Sequence, residues 1–107
     1  MLSMIVPTYN EKENIPKLIK RIFKVLGENN IDGEVVIVDD NSPDGTAKFA
    51  EELSKDYNVQ VIVRKEERGL SSAAIRGMED AKGEIFCVID TDRQYLSLNL
   101  HASRVRA

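Results

Sequence analysis

The chain has 107 residues, of which 42% are hydrophobic and 31% are charged, and its net charge is −3. These values indicate one soluble globular domain and exclude a basic surface for non-specific nucleic-acid binding. No apolar run approaches the roughly 18 residues of a membrane span, and no secretory segment opens the chain. We therefore expect a cytoplasmic protein whose membrane association, if any, is peripheral.

The first half of the chain alternates strand and helix patterns. Residues 2–6 form a short apolar run that ends at Pro7, which predicts a buried strand. Apolar residues at i, i+3, i+4 spacing then predict a helix over residues 12–26, and Gly27 ends it. Residues 34–38 are almost wholly apolar and β-branched, as is typical of parallel strands that are covered on both faces.

The second half repeats this alternation. The pattern predicts a helix over residues 46–57, a strand over 59–63, a charged loop over 64–69, a helix over 70–81 and a strand over 85–89. Cys87 lies in the last apolar run, where we expect a buried, reduced thiol. The order βαβαβαβ predicts an α/β fold with a doubly wound parallel sheet of about four strands and three helices.

Acidic residues stand at the carboxyl ends of two predicted strands. Asp39 and Asp40 end the second strand, while Asp90 and Asp92 follow the last one. The carboxyl ends of parallel strands share one edge, where ligands bind, so we expect these carboxylates at one site. With Gln94 as a third oxygen ligand, Asp90 and Asp92 would suit Mg²⁺ or Mn²⁺, although most isolated Asp-x-Asp pairs are solvated loop.

Three further segments have a structural and a functional interpretation. Residues 6–11 are a strand exit and helix cap, or a loop whose Tyr9 stacks on a nucleobase; taken alone, the former is favoured. Residues 42–46 fit turn chemistry, but the adjacent Asp39 and Asp40 need hydrogen-bond donors or a cation. Residues 68–72 begin a helix that is either capped in the ordinary way or, with Arg68, suited to phosphate.

Together these motifs resemble the nucleotide-diphospho-sugar transferases of the GT-A fold, and most closely the family 2 enzymes of the dolichyl-phosphate mannose synthase type. The resemblance covers residues 1–94. Its motifs are Val6-Pro7-Thr8-Tyr9-Asn10-Glu11, Val38-Asp39-Asp40-Asn41-Ser42-Pro43-Asp44-Gly45-Thr46 and Gly69-Leu70-Ser71-Ser72-Ala73-Ala74-Ile75-Arg76-Gly77.

The resemblance implies a binding site for a nucleotide-diphospho-sugar, GDP-mannose or UDP-glucose, whose sugar passes to a polyprenyl phosphate at a membrane surface. The nucleotide-binding residues that it implies are Pro7, Tyr9, Glu11, Asp39, Asp40 and Asp90, with Asp39 supporting the contact of Asp40 to the base or ribose. It also implies that Asp90, Asp92 and Gln94 hold the metal on the diphosphate, and that Asp90 and Asp92 are the catalytic residues.

Beyond Gln94 the chain departs from the family pattern, which usually continues to Pro-Pro-Glu. We interpret residues 1–94 as the nucleotide-sugar-binding half of a GT-A domain and residues 95–107 as a divergent tail. A frameshift or truncation after residue 94 is one hypothesis, and weak or absent transfer activity is the expectation that goes with it.

Two other classes of protein remain open. A non-catalytic nucleotide-sugar-binding or self-associating fragment would follow from an uncovered sheet edge, and it predicts a homo-oligomer. A phospho-acceptor receiver domain would use Asp39, Asp40 and Asp90, but its acidic pair usually ends the first strand. A dinucleotide-binding domain is disfavoured because no Gly-x-Gly-x-x-Gly follows the first strand.

Overall fold

The structure is a computed structural model that describes residues 1–66 and 69–89 and the backbone of residues 103 and 104. The strands are β1 (Leu2–Thr8), β2 (Gly33–Asp39), β3 (Val59–Val63), β4 (Ile85–Val88) and the two-residue β5 (Ser103–Arg104). The helices are α1 (Ile15–Glu28), α2 (Thr46–Leu53) and α3 (Leu70–Asp80).

One sheet contains all five strands in the order β3-β2-β1-β4-β5. The strands β1 to β4 are mutually parallel, and β5 pairs with β4 in the antiparallel direction. The chain therefore moves outwards from β1 through β2 to β3 and then returns to the other side of β1. This reversal makes the β1/β4 boundary a topological switch point, at which open α/β sheets bind ligands.

The three helices cover both faces of the sheet, as predicted. α1 and α2 pack with the core that contains Met4, Ile37 and Cys87, whereas α3 packs on the opposite face, with Ile5 and Phe86. Right-handed crossovers explain this division, because the connection from β3 back to β4 runs in the direction opposite to the first two. Burial raises the pKa of the Cys87 thiol, which agrees with the expectation of a structural cysteine.

Helix boundaries differ from the sequence prediction. α1 begins at Ile15, with Pro16 in its first turn, and it continues through Gly27 to Glu28. Its end is closed by the Asn29 side chain, which donates to the carbonyl of Val25 at 2.8 Å. α2 ends at Leu53 and gives way to turns before β3, so it is shorter than its apolar pattern suggested.

β1 runs through Pro7 to Thr8, although Pro7 was predicted to end it. The carbonyl of Ile5 accepts a hydrogen bond from Ile89 N, so alternate residues, Pro7 included, point their backbone polar groups toward β4. Pro7 lies opposite Val38 in the register with β2, and its missing N–H is on the side of β1 that faces away from β2. Thr8 points the other way and accepts from Asp40 N at 3.1 Å, which extends pairing with β2.

α3 approaches β1 closely because residue 77 is glycine. A Cβ atom at Gly77 would overlap the Cγ2 atom of Ile5 and lie 3.2 Å from the Cγ2 atom of Val38. No helix in the part of the chain that the structure describes is both long and apolar enough to cross a bilayer.

Candidate functional site

The carboxyl edge of the sheet brings together the predicted nucleotide-binding residues that the structure describes. Pro7 lies near the end of β1, Tyr9 and Glu11 lie in the following loop, and Asp39 and Asp40 lie at the end of β2. Asp90, Asp92 and Gln94 lie outside the described residues. The residue before Asp90 is Ile89, whose N–H donates to Ile5 O at 2.9 Å, beside β1 and close to this edge.

Asp39 is fully buried, and protein groups satisfy its carboxylate. Its Oδ1 atom accepts from the Thr8 hydroxyl at 2.8 Å and from the Ser42 hydroxyl at 2.6 Å. Its Oδ2 atom accepts from Ser42 N at 2.8 Å. The donors that the acidic pair was expected to need are therefore present for Asp39, and this geometry suits a supporting role better than direct contact with a ligand.

Asp40 forms a charged pair with Arg64. The Arg64 Nε and Nη2 atoms lie 2.7 and 2.6 Å from Asp40 Oδ1, and Gly69 N donates to Oδ2 at 3.3 Å. The Arg64 side chain is only 2% exposed, whereas that of Asp40 is 15% exposed. The two neighbouring aspartates thus use different partners, and Asp40 keeps part of its carboxylate at the surface of the edge.

Arg64 is a site residue that sequence reasoning missed, because it was assigned only to a charged loop. Its Nη1 atom donates to the Ser72 hydroxyl at 2.8 Å and its Nη2 atom to Gly69 O at 3.0 Å. The guanidinium therefore joins the ends of β2 and β3 to the start of α3. Its position was a usable signal: a basic residue directly after β3 meets an acid directly after the adjacent parallel strand.

The loop after β1 exposes one aromatic ring and buries one acid. Tyr9 is 46% exposed. Glu11 is 8% exposed and accepts from the Asn14 side chain at 2.9 Å, while its carbonyl accepts from the N–H groups of Asn14 and Ile15. Glu11 therefore shapes the start of α1, and Tyr9 is the aromatic group presented at the edge.

Side chains of the loop after β2 hydrogen-bond to the loop after β1. Asp44 accepts from Lys12 N at 3.2 Å and from Thr46 N at 3.0 Å. Burial acts to raise the pKa of Asp44, but the hydrogen bonds from Thr46 and Lys12 and the charge of Lys12 outweigh it, so the pKa lies below its ordinary 3.8. Asp44 thus stays ionised and accepts from both loops.

Residues 1–66 and 69–89 contain no cluster of three acidic, histidine or cysteine side chains that could hold a metal ion. The predicted metal ligands are Asp90, Asp92 and Gln94. Their donors are all oxygen, the chemistry that Mg²⁺ and Mn²⁺ prefer, and in the sequence they come after β4.

Four parallel strands with helices on both faces make an α/β fold, and its structural neighbours are glycosyltransferases of the GT-A class. The chain is similar in structure to the mannosyltransferase PcManGT from Pyrobaculum calidifontis in complex with GDP-Man and Mn²⁺, with a TM-score of 0.66 and 31% identity over 85% of this chain and 27% of that one. The mannosyl-3-phosphoglycerate synthase from Rubrobacter xylanophilus shares the fold with a TM-score of 0.75 at 21% identity, over 91% of this chain and 32% of that one.

The family model described as glycosyl transferase family 2 matches residues 3–101, and the chain belongs to that family. It is 50% identical over 94 residues to a dolichol-phosphate mannosyltransferase of Pyrococcus furiosus, covering 88% of this chain and 26% of the relative. It is 44% identical over 95 residues to the enzyme of that name from Saccharomyces cerevisiae, covering 87% of this chain and 36% of the relative. The chain thus spans about a quarter to a third of the length of these relatives.

Proposed function

We propose that this chain binds the nucleotide-diphospho-sugar donor for metal-dependent hexosyl transfer to a polyprenyl phosphate. The observation that carries the proposal is the partly exposed side chain of Asp40, whose carboxylate the buried Arg64 orients at the carboxyl edge of the sheet. Asp40 N donates to Thr8 O, so the backbone of Asp40 pairs with the residue that precedes the exposed Tyr9. An exposed aromatic ring and an oriented acceptor at neighbouring strand ends suit the stacking of a base and a hydrogen bond to its N–H groups or to ribose.

The other predicted residues have roles that follow from their burial. Pro7 and Glu11 are buried and shape the loop that carries Tyr9, rather than offering an exposed face. Asp39 supports Asp40 by holding Thr8 and Ser42, which fix the ends of β1 and β2. Direct contact with the nucleoside is therefore assigned to Tyr9 and Asp40.

Asp90, Asp92 and Gln94 would hold Mg²⁺ or Mn²⁺ against the diphosphate. When bound, the ion supplies a Lewis acid for the charge that develops on the departing diphosphate. The PcManGT complex contains Mn²⁺ and GDP-Man, which supports the same pairing of metal and donor here. A phosphate acceptor is already an anionic nucleophile, so transfer to it needs little help from a general base.

We propose GDP-mannose as the preferred donor, because both dolichol-phosphate relatives are named mannosyltransferases. UDP-glucose is the competing donor, since another chain of the same fold binds UDP. The acceptor would be a polyprenyl phosphate at a membrane surface, which the protein would meet as a peripheral partner.

Calorimetric titration of GDP-mannose and UDP-glucose, each with Mn²⁺ and with EDTA, tests donor binding. We expect metal-dependent binding of GDP-mannose that Tyr9→Ala, Asp40→Asn and Asp92→Asn each weaken by about tenfold or more. Glu79→Gln, an exposed position near the end of α3, is the matched control and should leave binding unchanged. The absence of nucleotide binding by the folded wild-type chain would overturn the proposal.

The second candidate function is binding of the donor without sugar transfer, in a chain that associates with a second copy of itself. β3 is an edge strand of the sheet, and Val63 on it is 38% exposed, which favours contact with a second copy. Transfer of radiolabelled mannose to a short polyprenyl phosphate separates the two functions, and sedimentation across a concentration series measures the oligomeric state. Nucleotide binding without transfer of the labelled mannose would support the non-catalytic function.

A further inference from the structure

Three consecutive backbone N–H groups in the loop after β1 are bound by side chains from the loop after β2. Asn10 N donates to Ser42 Oγ at 2.8 Å, Glu11 N to Thr46 Oγ1 at 3.0 Å and Lys12 N to Asp44 Oδ2 at 3.2 Å. The acceptors come from alternate residues 42, 44 and 46. We name Ser42, Asp44 and Thr46 the loop clamp.

The loop clamp is itself held by buried groups. Ser42 bonds to the carboxylate of Asp39 through both its hydroxyl and its backbone N–H, and Asp39 is fully buried. Thr46 is fully buried at the start of α2, and both its N–H and its hydroxyl donate to Asp44 Oδ1. The clamp therefore holds the backbone of residues 10–12 in a fixed position relative to β2 and α2.

Turn chemistry alone does not account for this arrangement. A turn would need only the local bonds between Asp44 and Thr46, whereas the clamp reaches residues more than thirty positions earlier in the chain. Asn10 has a φ of 55°, in the left-handed region that asparagine enters more readily than most residues. Tyr9 precedes this residue and is 46% exposed, so packing restrains it only in part.

We propose that Ser42, Asp44 and Thr46 are positioning residues, which hold the loop after β1 so that Tyr9 stands ready to receive the nucleoside. This inference rests on the proposed function for the use of the ring, and on the three cross-loop hydrogen bonds for the clamp. The clamp would keep the loop in its binding conformation before the nucleotide arrives, so the ligand would not have to order it.

Thr46→Val tests the clamp, because valine keeps the shape of threonine but cannot accept from Glu11 N or donate to Asp44. We expect the Kd for GDP-mannose with Mn²⁺ to rise by about five- to tenfold, and Thr46→Ser to restore it to within about twofold of wild type. In a Tyr9→Ala background the same change should add no further loss, because the clamp acts through that ring.

Leu53→Ala is the matched control for a general loss of stability. Leu53 ends the same helix and packs against the core, away from the clamp. This variant should unfold more readily than wild type and yet keep its affinity at a temperature where it is folded. A Thr46→Val protein with wild-type affinity, or with an equal loss in the Tyr9→Ala background, would overturn the proposal.

Amide hydrogen exchange of residues 10–12 provides a readout that needs no nucleotide. We expect slow exchange in the wild-type chain, and faster exchange at Glu11 in Thr46→Val but not in Leu53→Ala. If the wild-type chain binds neither nucleotide, the proposed function fails, while the exchange rates still decide whether the clamp exists. Fast exchange of all three amides in the wild type would refute the clamp itself.

Discussion

Two buried carboxylates stand at opposite ends of β2, and they have almost the same local chemistry. Asp39 at the carboxyl edge accepts from the Thr8 hydroxyl, and Glu34 at the amino edge accepts from the Ser3 hydroxyl, both across to β1 at 2.8 Å. Each also accepts from the backbone of a neighbouring loop, Asp39 from one N–H group and Glu34 from two. A buried acid at the end of a strand is therefore not by itself a sign of function.

The amino edge is a closed structural cluster. Glu34 Oε2 accepts from Lys82 N at 2.6 Å and from Gly83 N at 3.2 Å, in addition to Ser3. Gly83 N also donates to Ser3 Oγ at 2.9 Å. These bonds fasten the turn before β4 against β1 and β2, and Glu34 is only 2% exposed.

The carboxyl edge differs because it keeps polar and aromatic groups at the surface. Beside the buried Asp39 stands Asp40, which is partly exposed and is paired with a buried arginine. Beside Thr8 stands the exposed Tyr9. The polar and aromatic groups beyond those needed to satisfy the buried acid distinguish the proposed binding edge from the structural one.

The largest effect is expected from Arg64→Met, which leaves Asp40 without its cation and breaks the junction of β2, β3 and α3. We expect a loss of about 3 kcal/mol in the free energy of unfolding, measured by urea denaturation. Adding Asp40→Asn should recover part of this loss, because the unpaired charge is then removed. A loss below about 1 kcal/mol would show that the pair is a surface contact.

Glu34→Ala tests the structural edge. Three donors lose their acceptor, and we expect a loss of about 2–3 kcal/mol by urea denaturation. If the two edges differ as described, the affinity of the folded variant for GDP-mannose with Mn²⁺ should equal that of the wild type. A change in that affinity would contradict the division into a structural and a binding edge.

Gly83→Ala should destabilise the same edge by about 1–2 kcal/mol. Its Cβ atom would lie 2.5 Å from the backbone oxygen of Met1 and closer still to Ser3 Oγ. Gly27→Ala is the control, since nothing lies within 4 Å of a Cβ there and the residue is helical, so it should stabilise the chain by about 0.5–1 kcal/mol. Equal melting temperatures for the two variants would refute the close approach at Gly83.

The smallest effect is the pH dependence contributed by Asp44. Its pKa in the folded protein lies below the ordinary 3.8, so its stabilisation is present above that value and is lost as pH falls through the folded pKa. The difference in unfolding free energy between wild type and Asp44→Asn should therefore be constant near neutral pH and shrink below pH 3.8. A difference that does not change with pH would mean that the lowered pKa is absent.

Much of the fold was predictable, because hydrophobic periodicity reports burial directly. The runs at β2 and β3 and the stripe of Ile15, Ile19 and Ile22 gave the order of elements, and right-handed crossovers gave the doubly wound sheet. Boundaries were less predictable. Pro7 lies within β1 opposite Val38 of β2, where its missing N–H does not face that strand, and Gly27 lies within α1, whose end is closed by the Asn29 side chain.

The sequence by itself determined the class of fold, the family and the edge at which we propose the site, since these depend on local patterns and on motifs that are continuous in the chain. Only the tertiary structure decided which acid is structural and which faces outwards. Asp39 and Asp40 are neighbours in sequence, yet Thr8 and Ser42 satisfy one and Arg64 the other. Those partners lie on different strands and loops, and only the folding of the sheet brings them within hydrogen-bonding distance.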